Sequence, residues 1–356
     1  ILFIFCVCIR FDTNTKFALF STLILILIFF ITIREGWPDL GNYQYIFEGA
    51  CRLDLNDFSF WGRTHIRNMW IESGFVLLNY IIGLLSNNFY VFLASVGVLE
   101  LYLFYRFGKI WFDGNLKKIM LSLTFGLPYL GYMYLFVTIR AGLAIAIAAN
   151  AFLIKANSLK NIIIKILVYA LALSFHKSIV IIVLFDFIYN FYYTKYFITN
   201  KMLCVIFILS FFTRTRLFNS LFINLLDWFL SFFTISGFAK YLTTENFRSF
   251  WPLRDLLFCF MAFILLIFCK KINSIRFNKL LLICIMGLCV NNIGGSIVTI
   301  SRISDFFFFA IPLMFAEVYS NKSIMTKYSY FLFLFAIVYS PIFLSYFFKY
   351  CHILMW

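Results

Sequence analysis

Charged residues are scarce in this chain, and acidic residues are the scarcest. Only 13% of its 356 residues are charged, with 15 Asp and Glu against 30 Lys and Arg. A typical soluble domain has about 25% charged and about 45–50% apolar residues. Here 63% of the residues are hydrophobic and the mean hydropathy is +0.94. This composition excludes a soluble globular fold.

Proline and histidine are also scarce, and the cysteines are not spaced as metal ligands are. Five prolines and the absence of a Gly/Ser-rich linker argue against a separate soluble domain, so we expect one membrane domain over 1–356. The three histidines (His65, His176 and His352) are scattered, and the nine cysteines do not have the spacing of metal ligands. We therefore predict no bound metal and no cofactor. A disulfide between Cys51 and Cys351 stays open as an alternative to free thiols.

Long apolar runs dominate the rest of the sequence, and many can cross a hydrocarbon core of about 30 Å as helices. They do not alternate apolar and polar positions, so the predicted fold is all-α, a polytopic membrane protein with about 11–12 transmembrane helices. Run 74–86 is short and suits a re-entrant or interfacial helix. Residues 1–9 fit the tail of a truncated helix better than a signal peptide. The clear spans are 17–33, 89–105, 119–137, 251–268, 280–297 and 327–348, and the shorter ones are 141–154, 162–175, 178–188, 202–212 and 306–318.

The distribution of basic residues predicts which side each loop faces. With run 74–86 kept on the outer side, the six inner segments hold 17 of the 30 lysines and arginines. This agrees with the positive-inside rule, and the net charge of +15 therefore reports topology and does not indicate a nucleic-acid partner. The two largest loops, 34–71 and 213–250, then lie on the extracytoplasmic side. Loops of this length usually carry function.

Three cationic residues on that same side end apolar runs: Arg140, His176 and Arg302. Fixed charges at bilayer depth are costly, and they usually face a protein cavity that has a function. The planar fork of Arg donors suits phosphate or pyrophosphate. We therefore expect a pocket for an anion, most naturally a phosphorylated lipid. The alternative for Arg302 is an ion pair with Asp305 on a solvated helix end.

Acidic and aromatic residues on the outer side supply further candidates. Asp39 and Tyr43 share one face if their segment is helical; they suit sugar binding, or else an interfacial aromatic belt with a helix N-cap. Glu72 either complements a helix dipole or, if burial raises its pKa toward neutrality, acts as a general base. Glu100 is a mid-helix acid expected to pair with a basic residue on another helix. Additional substrate-binding candidates on this side are Tyr45, Lys177, Arg214 and Arg216.

In this order the motifs resemble those of the EpsG/Wzy-type polysaccharide polymerases of bacterial envelopes. The resemblance rests on Asp-x3-Tyr at 39–43, Glu-x-Gly-Phe at 72–75 and an Arg that opens an Ala-rich helix at Arg140. It continues with Phe-His-x-Ser at 175–178 and with Arg302 before an aromatic-rich helix. Ala141 stands where the family usually has Gln after the Arg.

The resemblance implies a glycosyltransferase in the bacterial inner membrane with an extracytoplasmic active face. Its substrate would be an undecaprenyl-pyrophosphate-linked glycan, and membrane lipid and a chain-length regulator protein are the other implied partners. Arg140 and Arg302 would stabilise the leaving pyrophosphate with His176 as an additional donor, Glu72 or Asp39 would be the base, and Tyr43 and Tyr45 would hold sugar. The competing functions are a transporter or flippase for lipid-linked oligosaccharides, an O-antigen ligase, and a lipid-dependent glycosyltransferase.

Overall fold

A computed structural model of the chain describes the following residues: 13–33, 39–53, 63–66, 69–126, 134–135, 137–192, 200–212, 253–272, 274–294, 304–321, 323–324 and 326–327. They belong to two compact units, Ile1–Val183 with Met325–Trp356, and Leu184–Ile324.

The first unit consists of helices and one hairpin. Its elements are α1 (Thr13–Ile33), α2 (Leu40–Ala50), β1 (Arg63–Ile66), β2 (Met69–Glu72), α3 (Ser73–Leu85), α4 (Phe89–Trp111), α5 (Leu116–Gly126), α6 (Ile139–Phe152) and α7 (Leu159–Phe175), followed by a 3₁₀ turn (Lys177–Ile179). Helix α8 (Val180–Tyr192) begins here and continues into the second unit.

Local sequence explains where the best-defined helices begin and end. The Asn88 side chain accepts a hydrogen bond from the Tyr90 N–H at the start of α4, and Ser158 does the same for the Asn161 N–H at the start of α7. After α4 the chain turns through Asp113 and Gly114, whose φ angles of 51° and 77° stop the helix.

Helix α6 is the centre of the first unit. Apart from Arg140 its side chains are buried, and six of its fourteen residues are alanine. Small side chains let neighbouring helices approach closely, and α4 and α7 both pack directly on α6. Helix α1 lies against α4, where Ile31 faces Gly97.

A short antiparallel hairpin departs from the all-helical prediction. Strands β1 and β2 pair with Arg63 opposite Glu72 and Ile66 opposite Met69. Only two residues join the strands, and Thr, Ile and Trp within them favour extended structure. The sequence predicted 34–71 as an extracytoplasmic loop and left open a helix at 39–43. The structure has α2 in this segment, and it also has the hairpin, which extends to Glu72. The hairpin runs into α3 without a linker, since Glu72 ends β2 and Ser73 begins α3.

The second unit is built around one long helix. Helix α11 (Ile275–Gly294) packs against α9 (Asn200–Phe212), α10 (Leu253–Ile272) and α12 (Ala310–Ser320). Buried polar side chains join these elements: the Asn292 amide donates to Ser210 Oγ (2.8 Å), and the Ser304 hydroxyl donates to Asn291 Oδ1 (3.2 Å).

The described helices confirm the helical class, and most predicted runs coincide with one. Among the described residues, two helices are long and apolar enough to cross a membrane on these criteria alone, Phe89–Trp111 and Arg276–Ile293. The count of about 11–12 spans stays a prediction. Run 327–348 lies almost wholly outside the described residues, as does the proposed partner Cys351.

Candidate anion-binding site

Four elements of the first unit bring polar side chains to one place. Glu72 lies where β2 meets α3, Arg140 is in the first turn of α6, and His176 directly follows α7. Tyr43, from α2, lies against Arg140. The sequence predicted that Arg140 and His176 face a common pocket, and the structure joins them through one carboxylate.

Glu72 bridges two basic side chains with its two oxygens. The Arg140 Nη1 donates to Glu72 Oε2 at 2.7 Å, and His176 Nδ1 lies 3.5 Å from Glu72 Oε1. The first distance is that of a charge-assisted hydrogen bond, and the second is a longer polar contact. The side chains of Glu72, Arg140 and His176 are 14%, 27% and 25% exposed. They are therefore half-buried and within reach of a ligand.

The ionisation of Glu72 differs from what a general base requires. Burial by itself raises the pKa of this carboxyl, but the contact with His176 and the positive charge of Arg140 outweigh burial and lower the pKa to about 2. The condition set for Glu72 as a base, a pKa raised toward neutrality, is not met. Glu72 occupies the N-cap position of α3, where a negative charge complements the helix dipole, but its side chain makes no capping hydrogen bond.

Arg140 is surrounded by aromatic side chains. Tyr43 is 5% exposed and lies within hydrogen-bonding reach of the Arg140 side chain and backbone. Burial raises the pKa of Tyr43 above 10, although Arg140 acts in the opposite direction, so the phenol stays neutral. The guanidinium also lies over the ring of Phe75, 5.9 Å from its centre, and that ring packs edge-on against Tyr43. These rings shield the ion pair from water on one side.

Two glycines let the helices that carry the site approach closely. A Cβ on Gly74 would overlap Ser174 of α7 and would lie 2.8 Å from its carbonyl oxygen. Because Gly74 has no side chain, the start of α3 can dock on the end of α7, which brings Glu72 to His176. A Cβ on Gly142 would overlap Glu100 and would lie 2.7 Å from the Tyr134 carbonyl oxygen.

Glu100 is a second acid close to this site. It is 1% exposed and packs against Gly142, two residues after Arg140. It is also the twelfth residue of α4, and at 1.5 Å per residue it lies roughly 16 Å along the axis from the start of that helix. The first turn of α6, which carries Arg140, therefore lies beside the middle of α4 and not beside its first turn.

The other predicted residues are less directly involved. Asp39 precedes α2 in a left-handed conformation (φ 66°), is exposed, and accepts a hydrogen bond from the Asn42 amide at 3.3 Å. Its charge acts on Tyr43, which places it at the edge of the cluster. Segment 39–43 does form a helix start, but Asp39 makes no side-chain capping bond. Tyr45 is half-buried and Lys177 is exposed. Arg214, Arg216 and Arg302 lie outside the described residues.

Asp305 is only 3% exposed, so the alternative that placed it on a solvated helix end is wrong. Sequence reasoning also missed two contacts of the site: the ring of Phe75 beneath Arg140 and the fit of Glu100 against Gly142. The Gly after each charged residue, Glu72-Ser-Gly and Arg140-Ala-Gly, was the available signal.

The cluster contains one carboxylate between two basic groups, at the positive end of α6. It can accept a further anion, because the first-turn N–H groups of a helix and a guanidinium both favour phosphate. Within the described part of the chain, no three His, Cys, Asp or Glu side chains form a group that could hold a metal ion. The expectation of no metal and no cofactor stays a prediction.

Comparison with known proteins gives one match. The model of a family described as the EpsG family matches residues 17–355, which is nearly the whole chain. No curated protein and no solved structure matches the chain.

Proposed function

Because the chain belongs to the EpsG family, whose members are Wzy-type polysaccharide polymerases, we propose that it lengthens a surface polysaccharide by joining lipid-linked repeat units. The proposed donor is a growing glycan on undecaprenyl pyrophosphate, and the acceptor is a fresh lipid-linked unit. The proposed location is the inner membrane of a bacterium, with the site on the extracytoplasmic face. The single observation that carries the proposal is the convergence of Arg140, Glu72 and His176 at the start of α6.

The reaction needs a place for negative charge. The bond between the anomeric carbon and the pyrophosphate oxygen breaks, and its electron pair stays on the leaving pyrophosphate. A preorganised guanidinium stabilises this developing charge better than water does, particularly in a partly dry site. Arg140 is suited to this role, since Tyr43 and Phe75 fix and shield it.

The reaction also needs a place for one proton. The acceptor hydroxyl forms the new glycosidic bond and loses its hydrogen. A carboxylate with a pKa of about 2 is a poor proton acceptor at neutral pH. Imidazole is the side chain that most often serves as a general base, so we assign the proton to His176, which takes it on the ring nitrogen opposite Nδ1. Glu72 then orients the imidazole through Nδ1, in the manner of other carboxylate–histidine pairs.

Residues around this core complete the proposed site. Asp39 at the edge of the cluster and the rings of Tyr43 and Tyr45 are suited to hold sugar, and exposed Lys177 adds positive charge. Arg302, Arg214 and Arg216 remain proposed contacts to pyrophosphate or substrate, and a chain-length regulator remains a proposed partner.

Glycan elongation by vesicle-reconstituted protein tests the proposal. Purified full-length chain is supplied with lipid-linked repeat units, and product length is read on a gel. We expect a ladder of products with the wild type and loss of all but the shortest with Arg140→Ala. A wild-type protein that moves the lipid-linked unit across the vesicle membrane but forms no longer product would overturn the proposal in favour of transport.

A further inference from the structure

We propose that Glu72 is a positioning residue that stands in for the substrate's pyrophosphate before substrate binds. Its carboxylate holds Arg140 until a phosphate oxygen takes that place, and the released carboxylate then engages His176 alone. This inference rests on the proposed function, which supplies pyrophosphate as the ligand of Arg140 and His176 as the base.

The two contacts of Glu72 are unequal. The contact of Oε2 with Arg140 Nη1 is short, at 2.7 Å, whereas Oε1 is 3.5 Å from His176 Nδ1. The short contact sets the position of the carboxylate, and the histidine contact is longer than the 2.7–3.2 Å of a well-formed hydrogen bond. Loss of the arginine contact therefore leaves Glu72 able to close on His176.

A carboxylate and a phosphate compete for the same donors. The guanidinium fork matches both groups in geometry, and a pyrophosphate carries more negative charge than one carboxylate. Arg140 Nε is buried and makes no hydrogen bond with any described residue, so a bidentate oxyanion finds a second donor there. Replacement of Glu72 by phosphate therefore gives Arg140 Nε a partner, while Glu72 Oε2 loses the arginine and the carboxylate turns to His176.

The exchange has a consequence for His176. A carboxylate that accepts from Nδ1–H fixes the tautomer of the imidazole and raises the proton affinity of its other nitrogen. While Arg140 shares the same carboxylate, that effect on His176 is weakened. Seating of the pyrophosphate on Arg140 thus activates the base, so the acceptor hydroxyl is deprotonated only when a donor is in place. Other polar groups near the site, among the residues that the structure describes, include Asp39 and Tyr43 from α2, Glu100 from α4 and Lys177 after α7.

The test separates binding from turnover. The full chain in detergent is titrated with inorganic pyrophosphate by calorimetry, and the same preparations are assayed for glycan elongation. We expect Glu72→Gln to bind pyrophosphate at least five-fold more tightly than the wild type, because the competing carboxylate is gone. We expect its elongation rate to fall at least ten-fold. Opposite signs are diagnostic, since a residue that merely maintains the fold would weaken both.

Glu48→Gln is the matched control. Glu48 is an exposed acid on α2 that accepts a hydrogen bond from Gln44 at 3.0 Å, and its loss should change neither binding nor elongation. Glu72→Asp, which keeps the charge but draws it back from Arg140, should give an intermediate gain in binding and keeps the test open if Glu72→Gln does not fold. Arg140→Ala should lose pyrophosphate binding.

Unchanged or weaker pyrophosphate binding by both Glu72 variants would overturn the inference, whatever the elongation assay shows. Full elongation by Glu72→Gln would overturn it as well. Tighter binding by the variants of a chain that elongates no glycan would leave the inference standing and would defeat the proposed function.

Discussion

The two ends of α6 each hold an arginine contact, and the two contacts are built differently. At the first turn Arg140 pairs with a carboxylate that also faces His176. Near the last turn Asn150 accepts from Arg106 Nη1 at 3.3 Å and donates to the carbonyl oxygens of Leu103 and Ala146. The first contact carries charges of both signs and is half-exposed. The second is a network in which a buried amide is satisfied by three partners.

The contact at Arg140 is suited to bind a ligand, whereas the hydrogen bonds of Asn150 form a joint between helices. Both N–H groups of the Asn150 amide and its oxygen have partners among neighbouring residues, so no polar group is left there for a substrate. Arg140 keeps a buried N–H without a described partner and shares one carboxylate with a histidine. One end of α6 therefore presents polar groups to a possible ligand, whereas the other end is joined to its neighbours by hydrogen bonds within the protein.

The largest expected difference is in activity. Arg140→Ala should reduce glycan elongation by about 10²–10³-fold, the usual effect of removing one donor that stabilises developing charge. Arg106→Ala at the other end should stay within a few-fold of the wild type. Arg140→Lys should recover only part of the activity, because a point charge does not replace a bidentate fork. The comparison is made on equal amounts of folded protein, and similar losses for both alanine variants would remove the distinction between the ends.

Gly74 and Gly108 should respond differently to substitution by alanine. A Cβ on Gly74 would overlap Ser174, so Gly74→Ala should destabilise by roughly 1–3 kcal/mol and should reduce elongation by moving Glu72. Gly108 in α4 would place its Cβ 3.7 Å from Ile119, which is an ordinary contact. Gly108→Ala should therefore be neutral or stabilising by up to about 1 kcal/mol. Thermal unfolding in detergent measures both variants, and a stable, fully active Gly74→Ala would show that the close approach is dispensable.

The ion pair between Glu72 and Arg140 should also make the stability of the folded protein depend on pH. The pKa of Glu72 is lowered in the folded chain to about 2 from its usual 4.5. A depressed acidic pKa contributes stability above pH 4.5, and that stability is lost as pH falls through 4.5 toward 2. The wild type should exceed Glu72→Gln by up to about 3 kcal/mol at pH 7, and the gap should close near pH 2. Glu48→Gln is the control, and a gap that does not change with pH would contradict the ion pair.

The smallest effect is expected at the joint. Asn150→Ala removes one satisfied buried amide and should cost roughly 1–2 kcal/mol of stability, with elongation per folded molecule unchanged. Asn157, whose side chain accepts a hydrogen bond from Asn161 on an exposed surface, should tolerate alanine within about 0.5 kcal/mol. A selective loss of elongation in Asn150→Ala would mean that the two ends of α6 are coupled.

Sequence alone predicted the helices well because the apolar runs in this chain are long and interrupted by few polar residues. Runs 141–154 and 162–175 became α6 and α7, with shifts of at most three residues at their ends. The hairpin was not predicted, since strands of four residues give little periodic signal and lay within a segment read as a loop. Helix α2 was anticipated only as a condition on the Asp39–Tyr43 spacing.

The sequence identified the residues of the candidate site but not the contacts among them. Arg140, His176 and Glu72 were identified because ionisable residues beside apolar runs are costly and rare, and Tyr43 because its spacing from Asp39 suited a sugar-binding face. That Glu72 sits between Arg140 and His176 depends on contacts between helices distant in sequence, which spacing does not encode. For the same reason the sequence left open whether burial raises the pKa of Glu72, whereas Arg140 and His176, brought close by folding, lower it. Glu100 lacked a named partner until Gly142 was seen to lie against it.

Glu72 and Ser73 are consecutive, so the hairpin and α3 share a backbone with no slack between them. Because Glu72 is itself the last residue of β2, a movement of the hairpin moves the carboxylate directly. Displacement of those strands would therefore change the contact between Glu72 and Arg140 with nothing entering the pocket.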